Sequence, residues 1–126
     1  MRKKANLGRN VLARGAWWEI RAAVDPTAAE ILIYGDIGAD PWGGESVGAL
    51  DFVRALADLN VATLTARINS YGGSVADGLA IYNALRRHPA AVTTAIDGVA
   101  VSIASLIAMA GDTVQMAQNG DRKSVV

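Results

Sequence analysis

Two stretches of this 126-residue chain repeat one pattern at close spacing and restrict the folds open to it. Thr63-Leu64-Thr65-Ala66-Arg67-Ile68 alternates with a period of two, as a strand does. It runs through Asn69-Ser70-Tyr71-Gly72-Gly73-Ser74 into a helical pattern. Ala91-Val92-Thr93-Thr94-Ala95-Ile96 is a second strand-like run, and Asp97-Gly98-Val99-Ala100-Val101-Ser102 leads it into another helical pattern. Strands that alternate with helices imply βαβ units, with parallel pairing and right-handed crossovers. The two turns also differ in a useful way. One carries a glycine pair able to present bare backbone N–H groups, and the other carries a serine at the start of an apolar helix. Acyl transfer needs both parts, a nucleophile and N–H donors aimed at the oxyanion that develops when it attacks.

The flanking segments fit the same scheme. Trp17-Trp18-Glu19-Ile20-Arg21-Ala22 alternates in character and predicts a strand ended by Asp25-Pro26. Glu30-Ile31-Leu32-Ile33-Tyr34 is nearly all apolar, which suits a parallel strand covered on both faces. Residues 36–44, with Pro41 and three glycines, read as a loop. Ser46 is placed to cap a helix whose stripe is Val47, Leu50, Val53 and Ala57, widened by Phe52, Leu56 and Leu59, with Asn60 as its stop. Ser74 is placed to cap the next, with Asp77 at the capping-box position, Val75, Leu79, Tyr82 and Leu85 as the buried stripe, and Pro89 just past the end. The apolar helix is predicted over 102–110, stopped by Gly111, and a last strand over 112–117.

Composition narrows the function classes. With 52% hydrophobic and 19% charged residues the chain is globular, and at 126 residues it is long enough for one domain. Net charge is zero, so nothing draws the whole molecule to nucleic acid. Residues 1–15 carry Arg2, Lys3, Lys4, Arg9 and Arg14 with no acid and no periodicity, and read as a loose basic tail. Cysteine is absent, which excludes disulfides and thiolate metal sites and fits the cytoplasm. No His, Asp and Glu cluster has metal-ligand spacing, and no cofactor is expected. The run 99–110 is well short of the ~20 residues a membrane span needs, so no membrane partner is expected.

Asn-Ser-x-Gly-Gly-Ser followed by Gly-x-Ala-x-Ser resembles the proteolytic subunit of the Clp protease family, and the 29-residue interval from Gly73 to Ser102 matches that family without a gap. Asp77-Gly78-Leu79-Ala80-Ile81-Tyr82-Asn83-Ala84-Leu85 and Ala108-Met109-Ala110-Gly111-Asp112 resemble its phage branch, the head maturation proteases. Covering roughly residues 30–119, the resemblance implies an α/β fold: a spiral of ββα units with a mostly parallel sheet, shared with the crotonases and incomplete at the C-terminus. It also implies a serine endopeptidase working through an acyl-enzyme on polypeptide, here capsid or scaffold precursors, as a homo-oligomeric ring in the host cytoplasm. The alternatives are a crotonase-type acyl-CoA enzyme, which needs no nucleophilic serine, and an inactive peptide-binding assembly module of the same fold.

By resemblance Ser102 is the nucleophile, and Gly73 and Ile103 supply the oxyanion-hole N–H groups, with Gly72 and Ser74 beside the substrate. The plain alternatives are an ordinary N-cap serine and a tight turn before a helix. A Cβ at Gly73 is expected to crowd substrate. Tyr71 stands where the family commonly has proline. Ser105, one turn on, reads as a hydroxyl bonded back to its helix. His88, the only histidine, reads as a solvent-facing imidazole at a helix end. The family's histidine and aspartate lie downstream of any residue here, so the chain as given is expected to be inactive. Asp77, Asp97 and Asp112 read as helix-start and turn acids. Trp17, Trp18 and Trp42 read as core and edge packing. Residues 120–126 are polar and break the pattern. One back-translation of 121–126 plus a stop reads as the start of a common sequencing adapter, and 120–126 are expected to be non-native.

Overall fold

The computed structural model describes residues 10–38 and 48–116. Among them the elements are β1 (Val11–Arg14), β2 (Trp18–Ala22), β3 (Ala28–Tyr34), α1 (Leu50–Ala57), β4 (Thr63–Ser70), α2 (Val75–Arg87), β5 (Ala91–Ala100), α3 (Ile103–Ala108) and β6 (Thr113–Met116). They build a six-stranded sheet in simple chain order. β1, β2 and β3 pair antiparallel; β3 through β6 pair parallel, with a helix in each crossover. The expectations for Ser46, Val47, Trp42, residues 1–9 and residues 117–126 lie outside the described residues.

Alternation sets the layers. Ile31, Ile33, Leu64, Ala66, Ile68, Val92 and Ile96 are buried at every second position. They join Phe52 and Leu56 of α1, Ile81 and Leu85 of α2, and Ile107 of α3 in one core. Trp17 and Trp18 are buried in it as expected, Trp18 meeting the Phe52 ring edge-on at 5.4 Å. The other face of the sheet carries Glu30, Arg67 and Asp97, where Arg67 bonds both acids, Glu30 at 2.6 Å and Asp97 at 2.9 Å. No helix among the described residues is long and apolar enough to cross a membrane.

Three expectations fail here. Residues 11–14 are not a loose tail, because they form an antiparallel hairpin with β2. In α1 the deepest residues are Phe52 and Leu56, while Leu50 and Ala57 are exposed, and the helix stops at Ala57 rather than at Asn60. In α2 the buried face is Gly78, Ile81, Ala84 and Leu85, and Val75 and Leu79 are 60% and 43% exposed. The physical reason in α2 is Gly78. A Cβ there would come within 2.2 Å of Ile103 Cγ1, so the two helices approach closely through a residue with no side chain. A pattern read from bulky residues passes over such a face.

Candidate active site

In a parallel sheet the turns that follow the strands gather at one end, where open α/β folds hold their ligands. Here the turns after β3, β4 and β5 are bonded to one another. The Ile37 N–H donates to the Gly72 carbonyl at 2.8 Å, and the Ser74 N–H donates to the Ile37 carbonyl at 2.9 Å. Gly73 lies between those two bonds with φ 143°, its own N–H free of any partner among the described residues. A Cβ on Gly73 would meet the Ile37 carbonyl oxygen at 2.3 Å. The glycine is thus required by the backbone of the turn after β3. This corrects the expectation that a Cβ would crowd substrate.

Ser102 occupies the N-cap position of α3 and does not behave as a cap. Its hydroxyl makes no cap bond, and it is exposed. Its φ of 58° and ψ of −132° make it the only non-glycine residue at positive φ among the described residues. The Ala104 N–H donates to the Val101 carbonyl at 3.1 Å, closing a II′-type turn with Ser102 at the corner glycine normally takes. Strain of this kind costs about 1–3 kcal/mol and persists where the surroundings impose it. The sharp turn leaves the serine hydroxyl projecting from the sheet end. Gly72, with φ 111°, lies directly against it. A Cβ on Gly72 would reach 2.9 Å from Ser102 Cβ and 3.3 Å from its Oγ.

The residue after Ser102 opens α3, and the Ile103 N–H has no partner among the described residues. Ser102 Oγ, the Gly73 N–H and the Ile103 N–H are therefore uncommitted groups on two adjoining turns. Ser74 caps α2 as expected, its Oγ accepting from the Asp77 N–H at 3.2 Å. The reciprocal half of the capping box is absent, since the Asp77 carboxylate accepts from the Ala49 N–H at 3.0 Å and ties the start of α1 to α2. Ser105 donates its hydroxyl back to the Ser102 carbonyl at 2.6 Å, so it is spoken for.

His88 is not solvent-facing. It is half-buried, with Nδ1 accepting from the Ala90 N–H at 3.1 Å and Nε2 bonded to the Leu59 carbonyl at 2.9 Å. That pairing requires the proton on Nε2, and neither nitrogen is left for a base's work. His88 lies three residues before the start of the ten-residue β5, and Ser102 lies two residues past its end. At about 3.3 Å per residue they are on the order of 30 Å apart. Asp112 is the turn acid expected, accepting from the Val92 N–H. Asp97 is not one: it lies within β5 and binds Arg67 and the Tyr34 hydroxyl. Burial first, and the bond to Asp97 second, push the Tyr34 hydroxyl up to about 12.

Two residues that support the turns escaped the sequence reading. Ser70, 1% exposed, donates its hydroxyl to the Gly35 carbonyl at 2.6 Å and accepts from the Gly72 N–H at 3.0 Å. Asn69 stands opposite a bulge. The β4–β5 register passes from Ile68↔Ile96 to Ser70↔Ala100, so Asn69 alone faces Asp97, Gly98 and Val99. Its Oδ1 accepts the Val99 N–H at 3.1 Å, a donor the ladder cannot serve. The available signal was two small polar residues ending a β-branched strand just before paired glycines.

No curated relative matches the sequence. The fold is similar to the ClpP protease catalytic domain from Plasmodium falciparum, at 21% identity and TM-score 0.53, covering 74% of this chain and 56% of that one. It is similar to a protein assigned as an enoyl-CoA hydratase from Streptomyces coelicolor A3(2), at 20% identity and TM-score 0.52, covering 82% and 47%. A protein assigned as a peptidase from Parabacteroides merdae is similar at 10% identity and TM-score 0.58, covering 90% and 46%. At these identities the likeness is one of fold, the ClpP- and crotonase-type α/β architecture with its mostly parallel sheet, and the chain spans about half the length of those structures. The Clp protease family model matches residues 50–120, more than half of the chain and all of it from α1 through β6, and the chain belongs to the Clp protease family.

Proposed function

We propose that this chain carries the nucleophile and oxyanion hole of a serine endopeptidase. Ser102 Oγ attacks the scissile carbonyl and forms the acyl-enzyme; the Gly73 and Ile103 N–H groups receive the oxyanion; Gly72 and Ser74 flank the substrate. The observation that carries this reading is Ser102 itself, an exposed hydroxyl without a cap bond, held at φ 58° against the Gly72 backbone. An ordinary N-cap serine has extended backbone and bonds its own helix; Ser102 does neither.

The general base comes from outside these 126 residues. His88 is the only histidine, and both its nitrogens are bonded at the far end of β5. The chain alone is therefore a poor protease, because an unassisted serine hydroxyl is a weak nucleophile at neutral pH. The working enzyme is a homo-oligomeric ring in the cytoplasm that cuts polypeptide. The segments at 77–85 and 108–112 support the head maturation branch, with capsid or scaffold precursors as substrate. A crotonase-type acyl-CoA enzyme would use the same two N–H donors, and an assembly module neither donor nor serine.

The test has two arms. The first is incubation of a version extended through the genomic sequence downstream, which carries the general base, with a fluorophosphonate, locating the adduct by mass spectrometry; modification at Ser102 is expected, and modification elsewhere or nowhere sinks the nucleophile. The second compares peptide cleavage by residues 1–126 with that by a version extended through the genomic sequence downstream. Cleavage by the extended protein alone is expected. Robust cleavage by 1–126 that disappears in His88→Ala would overturn the placement of the base.

A further inference from the structure

Resting on the assignment of Ser102 as nucleophile and Gly73 as oxyanion donor, we infer that Ser70 is a positioning residue that commits the Gly73 N–H, and not that of Gly72, to the substrate oxygen.

Two successive glycines can adopt many conformations, and both here lie at positive φ, 111° and 143°. Something outside the pair must choose one. Two of the three restraints are backbone: Ile37 N–H to Gly72 carbonyl, and Ser74 N–H to Ile37 carbonyl. The third exists only because residue 70 has a hydroxyl. Ser70 Oγ spends its proton on the Gly35 carbonyl at 2.6 Å, which leaves its lone pairs for the Gly72 N–H at 3.0 Å. Its carbonyl also accepts from the Val101 N–H at 3.2 Å, so one residue joins the turns after β3, β4 and β5.

The directional consequence comes from peptide planarity. The Gly72 carbonyl and the Gly73 N–H belong to one planar unit and point opposite ways. Holding the carbonyl on Ile37 aims the Gly73 N–H away from the turn after β3. Holding the Gly72 N–H on Ser70 removes the competing donor and fixes how deeply Gly72 sits against Ser102. With Ser70 only 1% exposed, no water readily replaces its hydroxyl. Without it the Gly72 N–H and the Gly35 carbonyl are both left short of a partner, and the turn can rotate to find one.

A small alkyl boronate tests this in the version extended through the genomic sequence downstream, which supplies the general base. The Ser102 oxygen bonds to boron, the serine proton is lost to solvent, and boron becomes tetrahedral and anionic, a charge the oxyanion donors stabilise. Boron NMR reads the tetrahedral species, and titration gives its affinity. Ser102→Ala must abolish the signal; if it does not, or if the parent chain gives none, the underlying reading fails and this inference with it. With that control in place, Ser70→Ala is expected to bind boronate about tenfold to hundredfold more weakly, since a misplaced donor loses much of its effect. Ser70→Cys fills the same space with a poor hydrogen-bonding group and guards against an Ala variant that fails to fold; it should show the same weakening. Ser70→Thr restores the hydroxyl and should recover affinity even if its buried extra methyl lowers the melting temperature. Wild-type boronate affinity in a folded Ser70→Ala or Ser70→Cys, or loss in Ser70→Thr that tracks melting alone, would overturn the positioning role while leaving Ser102 as nucleophile.

Discussion

The two ends of β5 meet the same requirement in opposite ways. At its amino end the polar groups are paired: His88 through both nitrogens, Asp112 with Val92, and the Ala91 N–H with the Ala62 carbonyl. Around its carboxyl end two N–H groups and a serine hydroxyl are left over among the described residues, on two adjoining turns of which the one after β5 carries backbone strain. Gly73 and Ser102 are exposed and Ile103 is half-buried, so the unpaired groups there are open to a substrate. The contrast agrees with the proposed placement of the chemistry. The one imidazole in the chain is at the saturated end, and the nucleophile candidate is at the end that was left open.

The sharpest way to break this contrast is at Ser102. Ser102→Gly should remove fluorophosphonate labelling entirely, as loss of a nucleophile does. It should also raise stability by about 1 kcal/mol, because glycine takes φ 58° without strain. Denaturant melts beside the labelling assay check both halves; a destabilised Gly variant would mean the turn is not strained.

Gly73→Ala comes next. Its Cβ would collide with the Ile37 backbone at 2.3 Å, so a stability loss of about 3 kcal/mol or more is expected together with loss of labelling. An Ala variant that melts like the parent would show that the Ile37 clamp is not real.

At the saturated end the expected effects are smaller and purely structural. His88→Ala should cost about 1–2 kcal/mol through two lost hydrogen bonds and leave the rate of Ser102 labelling unchanged. A changed labelling rate would connect ends that the geometry separates.

The smallest effect sharpens the comparison within the open end. Tyr34 also ends a strand there, yet its hydroxyl is paired with Asp97 and raised to about 12. The folded state then holds that proton more tightly than the unfolded chain, in which tyrosine titrates near its ordinary value of about 10. The Tyr34 contribution is intact below about pH 10 and is lost as pH climbs toward 12. Urea melts across that window should show stability falling, and Tyr34→Phe should flatten the slope without altering labelling.

What the sequence revealed and what it hid have physical reasons. The β-branched runs, the Gly72–Gly73 pair and the Ser102 interval were legible because parallel strands and helix-entry turns each demand a narrow set of residues. The buried face of α2 was hidden because its key contact, Gly78 on Ile103, is made by an absent side chain. β1 was hidden because a four-residue edge strand is too short to show a period. The roles of Ser70 and Asn69 were hidden because they depend on partners at positions 35 and 99, distances along the chain that no local pattern encodes.

The surplus in β5 has a consequence for how this site tolerates change in chain length. Three residues stand where the partner strand has one, so the serine's reach depends on a count of residues as well as on their identities. Because side chains alternate along a strand, removing one residue from 97–99 would turn the side chains beyond the deletion to the opposite side of the sheet. Removing two would leave a single residue opposite Asn69, so the plain ladder would close with Ser70 still facing Ala100 and Ser102 still in reach. A one-residue deletion within 97–99 should therefore silence the site even in a chain that still folds, whereas a two-residue deletion should keep it.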